Sequence, residues 1–225
     1  MTKGALPIRY RPRTLKSEGR LERLITERLQ PGADRAGIDR RIWDLFGERW
    51  AIMYTDLSGF SRRVAEFGVI HFLQTIHESF QLHAPVIDRH GGFLLKIEGD
   101  SMMVIFRNVT EALECAIEMQ RVTQEHNRDR APEDKVLLCI GMGYGDMLRI
   151  AEEDVFGAEV NAASKLGEDT AKSGEILVTG AVREAATIPP GCSFVPIDFV
   201  PPGAKAAFSL TYPAERAPSG AERSA

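Results

Sequence analysis

The alternation of apolar and polar residues predicts one sheet-containing domain in the middle of the chain. Short apolar runs predict four strands, at residues 51–54, 93–97, 102–106 and 136–142. Apolar residues at helical spacing predict helices between them, over residues 59–90 and 108–126. The tight turn at Gly99-Asp100-Ser101 predicts that the second and third strands form a hairpin. The order β-α-β-β-α-β is the ferredoxin-like, or palm-type, plan, an α+β fold in which two helices back one antiparallel sheet.

The pattern continues after the fourth strand. We expect a turn at residues 144–146, a short strand at 147–151 and a helix over 157–171. Three further apolar runs predict C-terminal strands that extend the sheet, at residues 175–179, 194–199 and 207–212.

Two short amphipathic helices precede the sheet. The first has apolar residues on one face over 21–29 and ends at Pro31-Gly32; the second spans residues 34–46. Their apolar stripes fit either packing on the domain or pairing with a partner chain. The predicted organisation is therefore an arm with two helices at 1–47, a domain at 48–212 and a disordered tail at 213–225.

The composition excludes several classes of protein. The 225 residues carry a net charge of −4 and no basic block, which argues against nucleic acid and membrane surfaces as partners. Three widely spaced cysteines predict reduced core residues, and with no secretory pattern we expect a cytoplasmic protein. His71, His77 and His83 are six residues apart, so they point in different directions and are expected to be ordinary surface or half-buried residues.

Candidate chemistry lies where two of the predicted strands end. Asp56 follows the first apolar run and Asp100 follows the second, so neighbouring strands would bring both carboxylates to one rim of the sheet. Two hard oxygen ligands on rigid elements are what a Mg²⁺ site for nucleotide chemistry requires. Gly59, Phe60 and Ser61 open the following helix, whose first amides would form an anion site beside the metal.

Three motifs carry a resemblance to a known family. They are Asp56-Leu57-Ser58-Gly59-Phe60-Ser61, Lys96-Ile97-Glu98-Gly99-Asp100 and Asp154-Val155-Phe156-Gly157-Ala158-Glu159-Val160-Asn161. Their order and spacing resemble the class III nucleotidyl cyclase catalytic domain, over roughly residues 48–212. The resemblance implies an adenylate cyclase that converts ATP into cyclic AMP and pyrophosphate. It also implies two Mg²⁺ or Mn²⁺ ions, held by Asp56, Asp100 and the carbonyl of Leu57.

The same resemblance implies roles for five further residues. Lys96 and Asp154 match the pair that reads adenine, and Asn161 matches the residue that orients the ribose. Lys165 stands where the family has an arginine that stabilises the transition state, and Lys205 matches a last cation near the C-terminal strands. In this family the metal ligands and the base-reading residues of one site come from two subunits, so the resemblance implies a head-to-tail homodimer.

Three departures from the family pattern keep a second interpretation open. Lys165 lacks the planar fork of arginine, and Cys139 lies where many relatives carry an arginine for the terminal phosphates. The segment at 145–154 is also shorter than the usual arm. The alternative is a catalytically weak or inactive module that binds nucleotide or a partner protein.

Overall fold

The structure is a computed structural model that describes residues 17–151 and 154–213, with the backbone alone for residues 60–63. The predicted arm up to residue 16 and the predicted tail from residue 214 lie outside the described residues.

Four strands form the centre of the sheet in the order β2-β3-β1-β4, with every neighbouring pair antiparallel. They are β1 (Gly47–Leu57), β2 (Phe93–Glu98), β3 (Ser101–Phe106) and β4 (Leu138–Ile150). The helices between them are α3 (Phe60–Phe67), α4 (Val69–Arg89) and α5 (Val109–His126), followed by a 3-10 turn at Pro132–Asp134. The ferredoxin-like α+β plan is therefore confirmed.

The C-terminal half extends this sheet. It contributes β5 (Asp154–Phe156), α6 (Ala158–Ser164), β6 (Ile176–Thr179), α7 (Gly180–Ala185), β7 (Ser193–Pro196) and β8 (Ala207–Thr211). β6 lies parallel to β4, β8 and β7 follow in antiparallel order, and β5 folds back along the end of β4. The completed sheet is mixed and has eight strands.

The predicted turn at residues 144–146 is wrong, because β4 runs through it without interruption. Tyr144 pairs with Ala51 and Asp146 pairs with Arg49, so β1 holds the whole segment extended. Glycines in this stretch allow α6 to approach the sheet. A Cβ atom on Gly143 would lie 2.4 Å from the carbonyl oxygen of Glu159.

The two faces of the sheet are covered differently. α4 and α5 pack on the face that we call the covered face, whose cluster includes Met53, Val104 and Leu113. The other, the open face, carries a smaller cluster with Trp50, Ile52, Met103, Ile105, Met147 and Val160, and its cover comes from α6 and β5.

The two N-terminal helices pack on the domain, which is one of the two arrangements expected. They are α1 (Ser17–Arg28) and α2 (Arg35–Phe46), and the Asp34 side chain accepts from the Gly37 amide at the start of α2. Leu24, Ile38, Ile42 and Phe46 form a cluster with Ile150 at the end of β4. None of the helices described is long and apolar enough to cross a membrane.

The helix expected over residues 157–171 changes character after its first two turns. α6 ends at Ser164, and Lys165–Thr170 form a π-helical segment. Gly167 in this segment lies against Gly141 of β4, where a Cβ on Gly141 would come within 2.2 Å of the Gly167 nitrogen. π-helical turns widen a helix locally and occur often at functional sites.

The expectation for one histidine is wrong. His83 is fully buried, with its Nδ1 3.2 Å from Ser79 Oγ and its Nε2 2.7 Å from Thr123 Oγ1. Burial lowers the pKa of His83 to about 4. Two hydroxyl partners at the interface of α4 and α5 explain how a neutral imidazole fits in the core.

Candidate active site

The structure places Asp56 and Asp100 at one rim of the sheet. Asp56 lies near the end of β1, and Asp100 lies in the turn between β2 and β3, where Gly99 has a φ of 61°. The pairing of Thr55 with Met102 brings the turn beside the end of β1. Ser101 Oγ donates to Asp56 Oδ1 at 3.4 Å. Hairpin geometry therefore brings the two predicted metal ligands together.

Both carboxylates are half-buried and lie in a negative environment. Burial is the main reason that the pKa of Asp56 is raised to about 6, and the charges of Asp100 and Glu168 add to it. Burial also raises the pKa of Asp100, and hydrogen bonds from the backbone amides of Asp100 and Leu57 partly offset this rise. The folded chain concentrates negative charge here at a free-energy cost.

The donor set fits a divalent cation. Asp100 Oδ2 is buried and has no hydrogen-bond partner among the residues that the structure describes. A buried carboxylate oxygen without a donor is costly, and a bound cation satisfies it. Leu57, whose carbonyl is the third predicted ligand, is the last residue of β1 and adjoins Asp56.

The start of α3 lies next to these carboxylates in the chain. Gly59 has a φ of 86° and precedes the first helical residue, Phe60, with Ser61 following. Gly59 has no side chain with which to cap the helix, so the first amides are left for another acceptor. An anion beside Asp56 and Asp100 would have these amides within reach.

Cys139 lies directly opposite Asp56 in the pairing of β1 with β4. Burial is the main cause that raises the pKa of its thiol to about 12, and the charge of Asp56 contributes. A neutral thiol at this position supplies no positive charge for phosphate.

Lys96 and Asp154 come together although 58 positions separate them in the numbering. Lys96 Nζ lies 3.7 Å from Asp154 Oδ2 and 2.9 Å from Glu98 Oε1. The hydrogen bond to Glu98, followed by the charge of Asp154, raises the pKa of Lys96. The fold of β5 against β4 brings Asp154 to this place.

Asn161 and Lys165 lie one helical turn apart, as their spacing predicts. The Lys165 amide donates to the carbonyl oxygen of Asn161, and both side chains are exposed. Lys165 Nζ pairs with Asp169 Oδ2, and that hydrogen bond is the main cause that raises the pKa of Lys165.

Lys205 is exposed in the loop between β7 and β8. Two residues earlier, Gly203 packs on the start of α6, where a Cβ would lie 2.4 Å from the carbonyl oxygen of Ala158. The loop that carries Lys205 therefore adjoins the helix that carries Asn161.

Sequence reasoning missed two residues of this region. Glu168 in the π-helical segment contributes to the raised pKa of Asp56, Asp100 and Tyr54. Tyr54 belongs to the open face, and burial is the main cause of its raised pKa. The position of Tyr54 two residues before Asp56 on β1 was a usable signal, because alternate strand residues share a face. Nothing in the spacing indicated Glu168.

These motifs and this fold agree with what comparison with known proteins finds. The family model described as the adenylate and guanylate cyclase catalytic domain matches residues 47–198. The chain therefore belongs to the adenylate and guanylate cyclase family. Its members generally depend on a divalent metal, bind a nucleotide substrate and commonly dimerise.

Individual relatives resemble part of the chain. A putative adenylate cyclase 3 from Rhizobium meliloti (strain 1021) is 29% identical over 135 residues, which cover 60% of this chain and 22% of that protein. An adenylate cyclase from Anabaena cylindrica is 27% identical over 167 residues, which cover 67% of this chain and 33% of that protein. The chain thus spans only a minor part of these relatives.

A solved structure supports the fold. The adenylate/guanylate cyclase/hydrolase from Silicibacter pomeroyi has a TM-score of 0.60 and 24% identity. The match covers 74% of this chain and 99% of that one.

Proposed function

We propose that this chain is an adenylate cyclase that converts ATP into 3′,5′-cyclic AMP and pyrophosphate, with residues 48–212 as its catalytic unit. The observation that carries the proposal is the pair formed by Asp56 and Asp100, with one buried oxygen of Asp100 that lacks a donor. Such a pair beside a helix N-terminus suits a metal-bound triphosphate.

Each group of the site has a part in this reaction. Asp56, Asp100 and the Leu57 carbonyl hold two Mg²⁺ or Mn²⁺ ions, and the amides of Gly59, Phe60 and Ser61 bind phosphate oxygens. Bound ions of this kind acidify an attacking hydroxyl and neutralise a leaving pyrophosphate. Asn161 orients the ribose so that its 3′-hydroxyl faces the α-phosphorus, which places the reacting atoms before the chemistry begins. Lys165 and Lys205 supply positive charge to the phosphoryl groups.

The choice of adenine rests on Lys96 and Asp154. A lysine donates to N1 of adenine, and an aspartate accepts from the amino group at N6. Their separation of 3.7 Å in one chain supports a shared role, because both can reach one edge of a purine. Specificity for adenine over guanine then follows from the donor and acceptor that each base presents.

A homodimer completes the proposed site. The metal ligands of one subunit work with Lys96, Asp154, Asn161 and Lys165 of the other, so that a two-fold pair has two equivalent sites. To bind phosphate there, the Lys165 ammonium must leave its ion pair with Asp169.

A second candidate is a module that binds nucleotide without turnover. Two observations favour it: the Cys139 thiol is neutral, and Lys165 is already paired with Asp169. An ammonium also offers a point charge instead of the bidentate fork of arginine.

The test is cyclic AMP formation by the purified chain with ATP and Mn²⁺ over a wide range of protein concentration. We expect activity to rise faster than linearly with protein, because two half-sites must associate. Asp56→Ala should abolish product, and Lys96→Glu combined with Asp154→Cys should shift the preference from ATP towards GTP. Nucleotide binding without product at every concentration would select the second candidate.

A further inference from the structure

A cavity of about 510 Å³ lies between the N-terminal helix α1 and the base-reading pair. Lys96 and Asp154 line one side of it, and Glu18, Leu21, Glu22, Ile25 and Thr26 of α1 line the other. Nothing in the family motifs includes α1, which lies before the first residue of the family match at 47.

The chemistry of the cavity suits a purine. Its volume lies in the range of ordinary ligand pockets, and apolar groups from Leu21, Ile25 and Phe156 leave only a few polar ones to fix orientation. Three carboxylates, on Glu18, Glu22 and Asp154, give it a negative character around the single positive charge of Lys96. Carboxylates accept from the amino group of a base and repel a triphosphate, so the base is the part of a nucleotide that belongs here.

α1 is held firmly enough to act as a wall. Leu24 on its inner side is buried in the cluster with Ile38 and Ile150. Arg28 also donates to both carboxylate oxygens of Asp39 in α2, at 2.6 and 3.2 Å. The other side of α1 is free to contact a ligand in the cavity, since Ile25 is 43% exposed and borders it.

We propose that α1 forms one wall of the purine pocket, so that binding of the nucleotide base is coupled to the N-terminal helix. The inference rests on the proposed function, because Lys96 and Asp154 must be the residues that read the base. Coupling of this kind is reciprocal: a helix that contributes to binding is itself stabilised by the bound base. Any partner or segment that displaces α1 would then weaken nucleotide binding.

The experiment uses 3′-deoxy-ATP with Mg²⁺ and the full chain, because a nucleotide without the attacking hydroxyl binds but does not cyclise. Calorimetry should show that Thr26→Trp weakens binding by about tenfold or more, since an indole occupies space that the base needs. Arg23→Trp places the same side chain elsewhere on α1, outside the lining of the cavity, and should leave the affinity within about twofold. Thermal unfolding checks that both variants are folded.

Hydrogen exchange on the unaltered chain provides a readout that needs no variant. Amides of residues 17–28 should exchange more slowly when 3′-deoxy-ATP is present. Binding that is equal in Thr26→Trp and the parent chain, without protection of α1, would overturn the inference and leave the proposed cyclase standing. Tighter binding by Thr26→Trp would also overturn it, because α1 would then obstruct the pocket. Failure of the parent chain to bind 3′-deoxy-ATP would overturn both the inference and the proposed function.

Discussion

Side chains on the two faces of the central sheet have different surroundings. On the covered face, Val104, Leu113 and Met119 are completely buried against one another and against α4 and α5. On the open face, alternation along β1 places Asp56 on the side of Trp50 and Ile52, at the edge of the cover that α6 provides. The covered face therefore stabilises the fold by burial, whereas the rim of the open face, beyond its smaller apolar cluster, holds carboxyl groups whose raised pKa values show that folding disfavours their ionised form. The covered face and the rim of the open face should therefore respond differently to substitution.

The largest expected effect is on the open face. Asp100→Asn should lower cyclic AMP formation by about 1,000-fold or more, because it removes a proposed metal ligand. In EDTA at pH 8 the same change should raise the free energy of unfolding, since the pKa of Asp100 is raised and its ionised form is therefore disfavoured on folding. Denaturant unfolding and product assays measure the two effects. Asp88→Asn, on the exposed side of α4, is the matched control and should change neither.

A substitution in the core of the covered face should lower stability and leave activity unchanged. Leu113→Ala removes a completely buried side chain and should cost about 3 kcal/mol of unfolding free energy, because the core cannot refill the space. Activity per folded molecule should stay unchanged. Leu73→Ala, at a side chain that is 53% exposed, should cost under about 1 kcal/mol. Equal losses for the two variants would contradict the assignment of Leu113 to the core.

The covered face should also carry a pH dependence through His83. Its pKa is lowered to about 4 by burial, with a smaller effect from the charge of His126, and its partners are Ser79 and Thr123. Because the folded pKa is below the unfolded value of about 6.5, the full contribution is present above that pH and is lost as pH falls towards 4. We expect a loss of about 2 kcal/mol between pH 7 and pH 5.

Unfolding in denaturant at several pH values measures this slope. His83→Gln should flatten it, whereas His77→Gln, at an exposed position of the same helix, should keep it. A slope that survives His83→Gln would assign the pH dependence to other groups.

The covered face was the easier one to predict from sequence. Its strands and helices follow from local alternation and helical spacing, and the hairpin follows from Gly99 in its left-handed turn. The burial of His83 could not be predicted, because the Thr123 hydroxyl that pairs with its Nε2 lies 40 residues away in the chain.

The open face depends on contacts that are distant in sequence. The sequence predicts a turn at residues 144–146, yet β4 continues there, and the adjoining Gly143 permits the close approach of Glu159. Lys96 and Asp154 could be paired only through the resemblance to a family, since the fold of β5 decides their distance. The π-helical segment, which positions Glu168, depends on the contact of Gly167 with Gly141 and has no local signal.

The smallest expected effect tests whether the rim of the open face holds a third carboxylate. The charge of Glu168 contributes to the raised pKa of Asp56, so Glu168→Gln should lower that pKa by less than about one unit in the metal-free chain. Carbonyl-carbon NMR titration of Asp56 measures it. Asp169→Asn changes the neighbouring acid, which pairs with Lys165, and should leave Asp56 unchanged. An unaltered Asp56 titration in Glu168→Gln would restrict the rim to Asp56 and Asp100, and the π-helical segment would then serve the packing of Gly167 alone.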